Sequence, residues 1–327
     1  MKYKKSNKKG ITLLNIFLLF LLIISLVIFL ISLYFLYLNL PGKPQSLEIE
    51  TQNFDNGSSN TIQFYSNMKF NHNEISYNIN QDCSQEEQSR MVNAFQELSN
   101  KVNLIIFKEV LMNPDIKVSC SKEINNLEEK DYFIAGEGGA KEIVQTGKYN
   151  VITNGLILLY QSQKNSIKCN FPNTEIHELI HVFGFGHSDN KNSLMYPILE
   201  SCEQKLDKSI IEELNRLYSE ENLPDLYFEE AKATKRGRYL DFNITIKNSG
   251  TIDAQNIDLT ILDKGEIIET KPIEEIKYGA GIFLETQNLK LINRDSQEIK
   301  FIIDYNNKIK EINKTNNKVV FNFGRQV

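Results

Sequence analysis

The chain has 327 residues, a formal net charge of −5 at pH 7 and four cysteines, which is enough length for about two domains. Without the five lysines of its first ten residues the charge is −10, so the remainder carries no basic excess. This balance argues against binding to nucleic acid or to an anionic lipid surface, since both require basic protein surface.

An uncharged, apolar run at residues 11–38 follows a basic tail at residues 1–10. A bilayer core needs about 20 apolar residues in a helix, so this run is predicted to span a membrane. The tail lysines predict a cytoplasmic N-terminus and an extracytoplasmic remainder, anchored in the cell membrane. The alternative is a cleaved signal peptide, whose apolar core is usually about 7–15 residues long. The length of the run favours the uncleaved anchor.

Residues 39–60 are predicted to be a linker that holds the next domain off the membrane as a short stalk. They contain Pro41, Gly42 and Pro44, and an Asn-Gly-Ser-Ser run near their end. The next domain is predicted at residues 61–222. Its first half carries a helix with Ser84 as the N-cap, and alternation or apolar runs predict strands at Glu74–Asn80, Asn103–Val110 and Asp115–Cys120.

The eleven-residue segment HELIHVFGFGH holds three of the four histidines. A helix capped by Asn173 would place His177 and His181, which are four residues apart, on one face and next to one metal ion. Gly184 permits a left-handed residue that ends the helix and brings His187 to the same ion. Three neutral imidazoles leave a tetrahedral zinc with one open position for water, which is the arrangement of a catalytic site.

This segment matches the signature HExxHxxGxxH and therefore resembles the metzincin peptidases. The run Ser193–Pro197 (SLMYP) resembles the methionine turn of the matrixin branch of that family. For residues 61–222 the resemblance implies a twisted mixed sheet with helices, and for the chain an α+β fold. It implies hydrolysis of protein or peptide substrates with one zinc ion, while the Asp- and Asn-rich loops leave a calcium site open.

The same resemblance assigns roles to individual residues. His177, His181 and His187 would bind the zinc ion, and Glu178 would activate the zinc-bound water as a general base. Met195 would pack beneath the metal. The expected specificity pocket, which would take an apolar side chain just after the scissile bond, is formed by the residues that follow the methionine: Tyr196, Pro197 and Ile198.

The resemblance also implies an edge strand over the active-site cleft. Lys141–Thr153 contains the candidates for this strand, the glycine-rich run at residues 135–140 leads into it, and Leu156–Gln161 would be the buried strand beside it. Peptides commonly bind such an edge as an added strand. An ordinary surface edge with no substrate role is the alternative.

The four cysteines lie in the predicted exported part, where disulfides persist. Four cysteines allow three connectivities. We predict the two local pairings, which are Cys83–Cys120 around a predicted helix and strand, and Cys169–Cys202 around the zinc segment. A cysteine ligand or a thiol nucleophile is the alternative.

Residues 223–327 change to a period-two pattern. Leu240, Phe242 and Ile244 alternate with polar residues, and the strand ends at an Asn-Ser-Gly turn, so the pattern predicts an antiparallel β-sandwich. The run Asp304–Asn317 resembles the end of the CARDB-type, cell-adhesion-related domain, which has an immunoglobulin-like fold. This domain is expected to bind cell-surface or substrate partners and to perform no chemistry.

The resulting prediction is a membrane-anchored, extracytoplasmic zinc endopeptidase that binds no nucleic acid. The alternative is a cell-surface adhesion or binding protein whose peptidase-like domain is catalytically inactive. The intact histidines and glutamate argue against that alternative. A zinc-stabilised structural protein would need a fourth protein ligand, for which Asp189 is the nearest candidate in sequence.

Overall fold

The computed structural model describes residues 13–40, 44–50, 63–122, 134–160 and 169–324, and every structural statement below refers to these residues. The predicted basic tail at residues 1–10 and the second half of the predicted linker, residues 51–60, lie outside them. In chain order, the elements are α1 (Leu13–Asn39), β1 (Pro44–Glu50), β2 (Met68–Lys69), β3 (Glu74–Ile79), α2 (Gln85–Lys101), β4 (Ile106–Glu109), β5 (Ile116–Ser121), β6 (Gly136–Gln145), β7 (Asn150–Tyr160), α3 (Asn173–Val182), α4 (Lys208–Ser219), β8 (Leu226–Arg236), β9 (Tyr239–Asn248), β10 (Ala254–Asp263), β11 (Glu266–Ile276), β12 (Gly281–Lys290), β13 (Glu298–Ile303) and β14 (Lys318–Asn322).

Helix α1 is apolar along its length and makes little contact with the rest of the protein. The stretch Ile16–Leu38 has 23 residues, and the rest of the described chain does not bury it. At 1.5 Å per residue such a stretch is long enough to cross the hydrocarbon core of a bilayer. A signal sequence near an N-terminus has the same character, so the helix fits either a membrane span or a signal sequence.

The first domain is built on a six-stranded mixed sheet. Strands β3, β4, β5 and β7 run parallel, and β2 pairs in parallel with the beginning of β7. Strand β6 is antiparallel to β7 and lies at one edge, while β4 lies at the other edge. The parallel strands are rich in β-branched residues that are fully buried, such as Ile75, Val118 and Ile157, as expected for a sheet covered by helices.

Helix α2 begins at the predicted N-cap. The Ser84 hydroxyl accepts a hydrogen bond from the Glu87 backbone N–H at 3.3 Å, and the Ser84 N–H donates to the Glu87 carboxylate at 2.7 Å. This reciprocal capping box satisfies two backbone donors at the helix start. The helix packs on the sheet through buried residues that include Phe95, whose ring lies 4.1 Å from the Tyr77 ring, centroid to centroid.

The C-terminal domain is an antiparallel sandwich, as predicted. One sheet has the strand order β1-β8-β9-β12 and the other has the order β11-β10-β13-β14. The alternating residues of β9 that the sequence singled out point into the core and are buried: Leu240, Phe242, Ile244 and Ile246. The Phe242 ring meets the Phe301 ring of the opposite sheet edge-on at 5.0 Å, so the two sheets share one core.

Strand β1 corrects the prediction of a linker at residues 39–60, which is wrong for residues 44–50. These seven residues pair antiparallel with β8, from Pro44 opposite Arg236 to Glu50 opposite Glu230. The side chains of Leu47 and Ile49 pack against the sandwich core, and the Ser46 hydroxyl lies 2.8 Å from that of Thr234. Backbone pairing and apolar burial therefore fix this segment in the second domain.

We expect the double variant Leu47→Asp/Ile49→Asp to lower the free energy of unfolding of the sandwich by about 2–3 kcal/mol, because it exchanges two partly buried apolar side chains for charges. The check is calorimetry on the detergent-solubilised full chain. Glu48→Gln is the matched control, since Glu48 forms only an exposed ion pair with Lys232 at 2.9 Å. Equal melting of the double variant and the control would contradict the assignment of β1 to the core.

Two disulfides cross-link the first domain. Cys83 and Cys120 join the start of α2 to β5, and Cys169 and Cys202 join the segment before α3 to the loop before α4. These are the two pairings that the sequence favoured. They leave no free cysteine among the four, so neither a thiolate ligand nor a thiol nucleophile is present in this state.

Candidate metal centre

The start of helix α3 is fixed by a charged contact from α2. The Arg90 guanidinium makes two hydrogen bonds to the Glu175 carboxylate, at 2.7 and 3.0 Å, and a third to the Cys169 carbonyl at 2.7 Å. A planar guanidinium suits this forked geometry. Pro172 occupies the N-cap position, so the predicted cap Asn173 is instead the first helical residue and makes no capping hydrogen bond. Arg90 orients the helix start where a capping side chain was expected.

The end of helix α3 turns sharply at Gly184. Gly184 has φ = +83°, its N–H donates to the His181 carbonyl at 2.9 Å, and the Phe185 N–H reaches the Ile180 carbonyl at 3.4 Å. This is the hydrogen-bond pattern of a Schellman motif, which needs a left-handed residue at this position. A Cβ atom at Gly184 would also lie only 2.2 Å from the sulfur of Met68. Glycine is therefore required both for the turn and for the space.

The three histidines converge as the sequence predicted. The Nε2 atom of His181 lies 3.0 Å from Nε2 of His177 and 3.2 Å from Nε2 of His187. In the described chain these residues form the only group of three or more His, Cys, Asp or Glu side chains with metal-binding geometry, and Asp189 is not part of it. His72 lies elsewhere, with its Nε2 atom 3.1 Å from Asp115.

Hydrogen bonds determine which ring nitrogens face the centre. The Nδ1 atom of His177 lies 2.7 Å from the Leu194 carbonyl, and Nδ1 of His181 lies 2.7 Å from the Phe185 carbonyl. A carbonyl can only accept, so each Nδ1 carries the proton and each Nε2 presents a lone pair. Burial, together with the neighbouring imidazoles, lowers the pKa of His177 to about 4, and burial lowers that of His181, so both rings are neutral at pH 7.

This arrangement fits a zinc ion. Ligand nitrogens about 2.0–2.1 Å from a tetrahedral zinc are separated by roughly 3.3 Å, close to the two distances between the Nε2 atoms. The Nε2 atoms of His177 and His181 carry no proton. Their lone pairs therefore point at one another without a hydrogen-bond donor between them. A divalent cation is the partner that this donor set lacks, and carbonyl acceptors behind metal-binding imidazoles are the usual support.

The methionine turn supports two of the three histidines. The Leu194 carbonyl holds the His177 ring, and the Met195 carbonyl accepts the N–H of Ser188, which follows His187, at 2.8 Å. Met195 itself is fully buried in the domain core. Its N–H donates to the Ser193 hydroxyl at 3.0 Å, and that hydroxyl in turn donates to the Asp207 carboxylate. The turn thus fixes the distance between the helix and the third histidine.

Gln204 closes the loop that follows the turn. Its side-chain amide donates to three carbonyls, those of Lys191 at 3.0 Å, Ser193 at 3.2 Å and Ile198 at 3.1 Å. Its carbonyl oxygen accepts the N–H of Glu200 at 3.0 Å. The side chain is buried, so these bonds are protected from water. Nothing in the sequence pattern marked this glutamine, because its partners are all backbone groups.

Strand β6 passes directly over Glu178. A Cβ atom at Gly138 would lie 2.1 Å from the Glu178 carbonyl oxygen, and one at Gly136 would lie 2.7 Å from the Glu178 side chain. The Gly138 N–H donates to the Glu178 carboxylate. The edge strand therefore begins inside the glycine-rich run, earlier than the candidates at Lys141–Thr153, because only glycine allows the strand backbone to approach the helix this closely.

Burial and nearby acids raise the pKa of Glu178. Burial is the larger cause and the charge of Glu137 adds to it, while the Gly138 hydrogen bond opposes them, and the resulting pKa is about 8. A divalent cation on the neighbouring histidines would favour the carboxylate and lower this value. Glu178 is thus a buried carboxyl group whose proton affinity responds to the charge of the centre.

The predicted specificity residues follow the methionine turn on the surface. Pro197 is exposed, and Tyr196 and Ile198 are partly buried, with the Lys191 ammonium 5.9 Å from the Tyr196 ring. Their role in substrate selection stays a prediction. Sequence reasoning missed Arg90, Gln204 and the contact of Gly138. Arg90 and Gly138 contact residues far away in the sequence, and Gln204 bonds only backbone groups of its own loop, so none of them leaves a periodic signal.

Comparison with known proteins divides the chain into two matched regions. Residues 69–219 match the family model described as matrixin, and residues 223–321 match the one described as CARDB. No curated protein matches the chain.

Three of the similar solved structures are single domains, and two of these are described as CARDB domains. A domain from Pyrococcus furiosus, crystallised in complex with di-metal ions, is 17% identical with a TM-score of 0.26, and the match covers 31% of this chain and 88% of that one. Its solution structure matches at 17% identity and a TM-score of 0.27, over 32% and 95% of the two chains. A domain of a putative cell surface protein from Methanosarcina acetivorans is 16% identical with a TM-score of 0.24, over 31% and 91%. The chain therefore combines a matrixin domain at residues 69–219 with a CARDB domain at residues 223–321.

Proposed function

We propose that the first domain is a zinc-dependent endopeptidase, held outside the cell by helix α1 as a membrane anchor. The observation that carries this proposal is the convergence of three histidine Nε2 atoms, two of which are fixed as neutral ligands by backbone carbonyls. The matrixin match supports a metallopeptidase-like domain over the same residues. His177, His181 and His187 would hold the ion, and no fourth protein ligand lies in the group.

Three histidines, Glu178 and one bound ion would account for the chemistry. When bound, zinc on three neutral imidazoles supplies a Lewis acid that polarises the scissile carbonyl and lowers the pKa of water towards about 7. The imidazoles of His177, His181 and His187 would leave the positive charge of the ion undiminished, because each binds as a neutral ligand. The open side of the histidine group leaves room for water and for the carbonyl of a peptide.

Glu178 would move the proton. Its carboxylate takes one proton from the attacking water as the water oxygen bonds to the carbonyl carbon. It then delivers this proton to the amide nitrogen while the C–N bond breaks, which yields a carboxylic acid and an amine and restores ionised Glu178. The new carboxylic acid then gives its own proton to the amine, so that the products are a carboxylate and an ammonium group. The Gly138 N–H, donated to this carboxylate, orients it and leaves its other lone pairs for the proton transfer.

Strand β6 would present the peptide. It pairs with β7 along one side and has no second strand partner in the described part of the chain. An extended peptide can pair with such an edge through main-chain hydrogen bonds, and these bonds do not depend on the side chains of the peptide. We infer a protein or peptide substrate in an extended conformation. The CARDB domain would recruit cell-surface or substrate partners.

The proposal predicts cleavage that depends on zinc. We expect the detergent-solubilised full chain to digest an unfolded protein such as reduced casein, to lose this activity on dialysis against a chelator, and to regain it with one equivalent of zinc. The thermal midpoint should fall on chelation, because a ligand that binds only the folded state stabilises it. Mass spectrometry of the products and metal analysis check both statements. Undiminished digestion after complete metal removal would contradict the proposal.

The second candidate function is adhesion by an inactive peptidase-like domain. No contact in the metal centre favours this alternative, because the three histidines and Glu178 are all present. It would replace the first proposal if the chain bound zinc stoichiometrically and cleaved nothing in a broad peptide library.

A further inference from the structure

A groove of ≈ 400 Å³ adjoins the metal centre at His181. The methionine turn contributes nothing to its lining. The walls are formed by the segment before β2, by β6 and by the end of α3: Phe64, Tyr65, Met68, Gly139, Ala140, Ile143, His181 and Gly184. Most of these side chains are apolar, so the groove suits an apolar group.

One wall of the groove is a short segment, Gln63–Tyr65, which we call the aromatic arm. The Gln63 side chain donates to the carbonyls of Met68 at 3.1 Å and Phe183 at 3.0 Å, and accepts the Met68 N–H at 3.2 Å. The Phe64 N–H donates to the Gly184 carbonyl at 2.8 Å. The backbone of the arm is therefore fixed to the end of helix α3, which is the helix that carries two of the histidines.

The two aromatic side chains of the arm are open to solvent. Phe64 is 65% exposed and Tyr65 is 58% exposed, although the backbone beneath them is fixed. The Phe64 ring stacks on the His181 ring with a centroid distance of 6.5 Å and an angle of 24°. Aromatic surface on an ordered backbone binds apolar groups at a reduced entropic cost, because the segment that carries the rings need not be ordered on binding.

The groove is continuous with the free edge of β6. That strand crosses Glu178 at Gly138, and its next residues, Gly139, Ala140 and Ile143, line the groove. In a peptide added antiparallel to β6, the residues before the scissile bond would lie opposite these later strand residues.

We propose that the aromatic arm determines specificity by binding an apolar or aromatic side chain that precedes the scissile bond. The occupant is an extended peptide, and the inference rests on the proposed peptidase function. Phe64 and Tyr65 precede residue 69, where the matrixin match begins, so this wall of the cleft is supplied by residues outside the matched domain.

The first experiment measures cleavage. Substrates are octapeptides in an Ala/Ser background in which a single Phe is moved along the sequence. The wild-type chain should prefer Phe before the cleaved bond rather than after it. The variant Phe64→Ala/Tyr65→Ala should reduce this preference about tenfold in kcat/KM, through KM rather than kcat, because the lost contact is the same in ground and transition states.

A matched control separates this effect from a general loss of surface aromatics. Phe283 lies on β12 of the other domain and is 59% exposed, so Phe283→Ala should leave the preference unchanged. All three chains should have nearly the same melting temperature, since the replaced side chains are exposed. An arm variant that keeps the Phe preference, or a preference located after the scissile bond, would overturn the proposal.

The second experiment measures binding without cleavage. The zinc-loaded Glu178→Ala chain is titrated with the same octapeptides, each carrying a fluorescent label, with and without the arm substitutions. A binding preference that disappears with the arm supports the groove even if the wild-type chain cleaves nothing, in which case the peptidase proposal alone fails. Equal binding of the Phe-containing and Phe-free peptides to both chains rejects the groove, whatever the cleavage result.

Discussion

Replacement of Glu178 by alanine is expected to abolish peptide cleavage while zinc remains bound. Glu178 is no part of the histidine group, so its removal leaves the three Nε2 atoms and their carbonyl supports in place. General acid–base catalysis contributes about 10²–10⁴-fold, and the rate should fall by at least that factor. The rate is measured on the octapeptides, and zinc is measured by metal analysis of the dialysed protein.

The matched control for this variant is Glu212→Ala. Glu212 is an exposed helix carboxylate, paired only with Lys208 at 3.1 Å, and should leave both cleavage and zinc unchanged. Normal cleavage by the Glu178→Ala chain would show that another group transfers the proton.

Replacement of Gly138 by alanine should displace strand β6 from helix α3. The added Cβ would lie 2.1 Å from the backbone carbonyl oxygen of Glu178, and backbone cannot move aside as a long side chain can. Overpacking of this kind costs about 1–3 kcal/mol, and the shift would also remove the N–H that orients the Glu178 carboxylate. We expect a lower thermal midpoint, and a kcat that falls more than KM rises.

Gly139→Ala is the control in the adjacent position. A Cβ atom there meets nothing within 4 Å, so the same chemical change should leave the melting temperature and kcat close to those of the wild type. The pair separates the steric contact from the general effect of glycine on strand stability, because both residues lie in β6. Similar behaviour of the two variants would contradict the close approach of β6 to Glu178.

Local signals in the sequence were sufficient for much of the candidate site. The spacing of His177 and His181 fixes their common helix face, and Gly184 marks the left-handed turn that the structure places there at φ = +83°. Ser84 and Glu87 form a capping box within four residues. In each case the interacting groups are close in sequence, so a pattern of residue types records the contact.

Contacts between residues that are distant in the sequence could not be predicted from such local patterns. Leu47 and Ile49 alternate as a strand does, but nearby Pro, Gly and Asn-Gly-Ser-Ser favoured a linker, and only the partner strand β8 shows why the alternation is there. Glycine is unfavourable inside a strand, so the sequence predicts an edge strand that starts after the glycine-rich run, whereas β6 starts within it at Gly136, where its backbone approaches Glu178. Arg90 acts through hydrogen bonds to residues about 80 positions away, and periodicity does not reveal such contacts. Gln204 bonds only backbone carbonyls and N–H groups within its own loop, which no pattern of residue types marks.

The position of β1 also affects how the protein could be released from a membrane. Helix α1 continues after four residues into β1, which belongs to the sandwich, whereas the peptidase domain follows in the chain. If another protease cut the chain between Glu50 and Gln63, the severed β1 would still be held to β8 by the seven-residue ladder and by the packing of Leu47 and Ile49. If helix α1 is the proposed membrane anchor, shedding into solution requires a cut between Asn39 and Pro44, or the removal of an edge strand from its sheet.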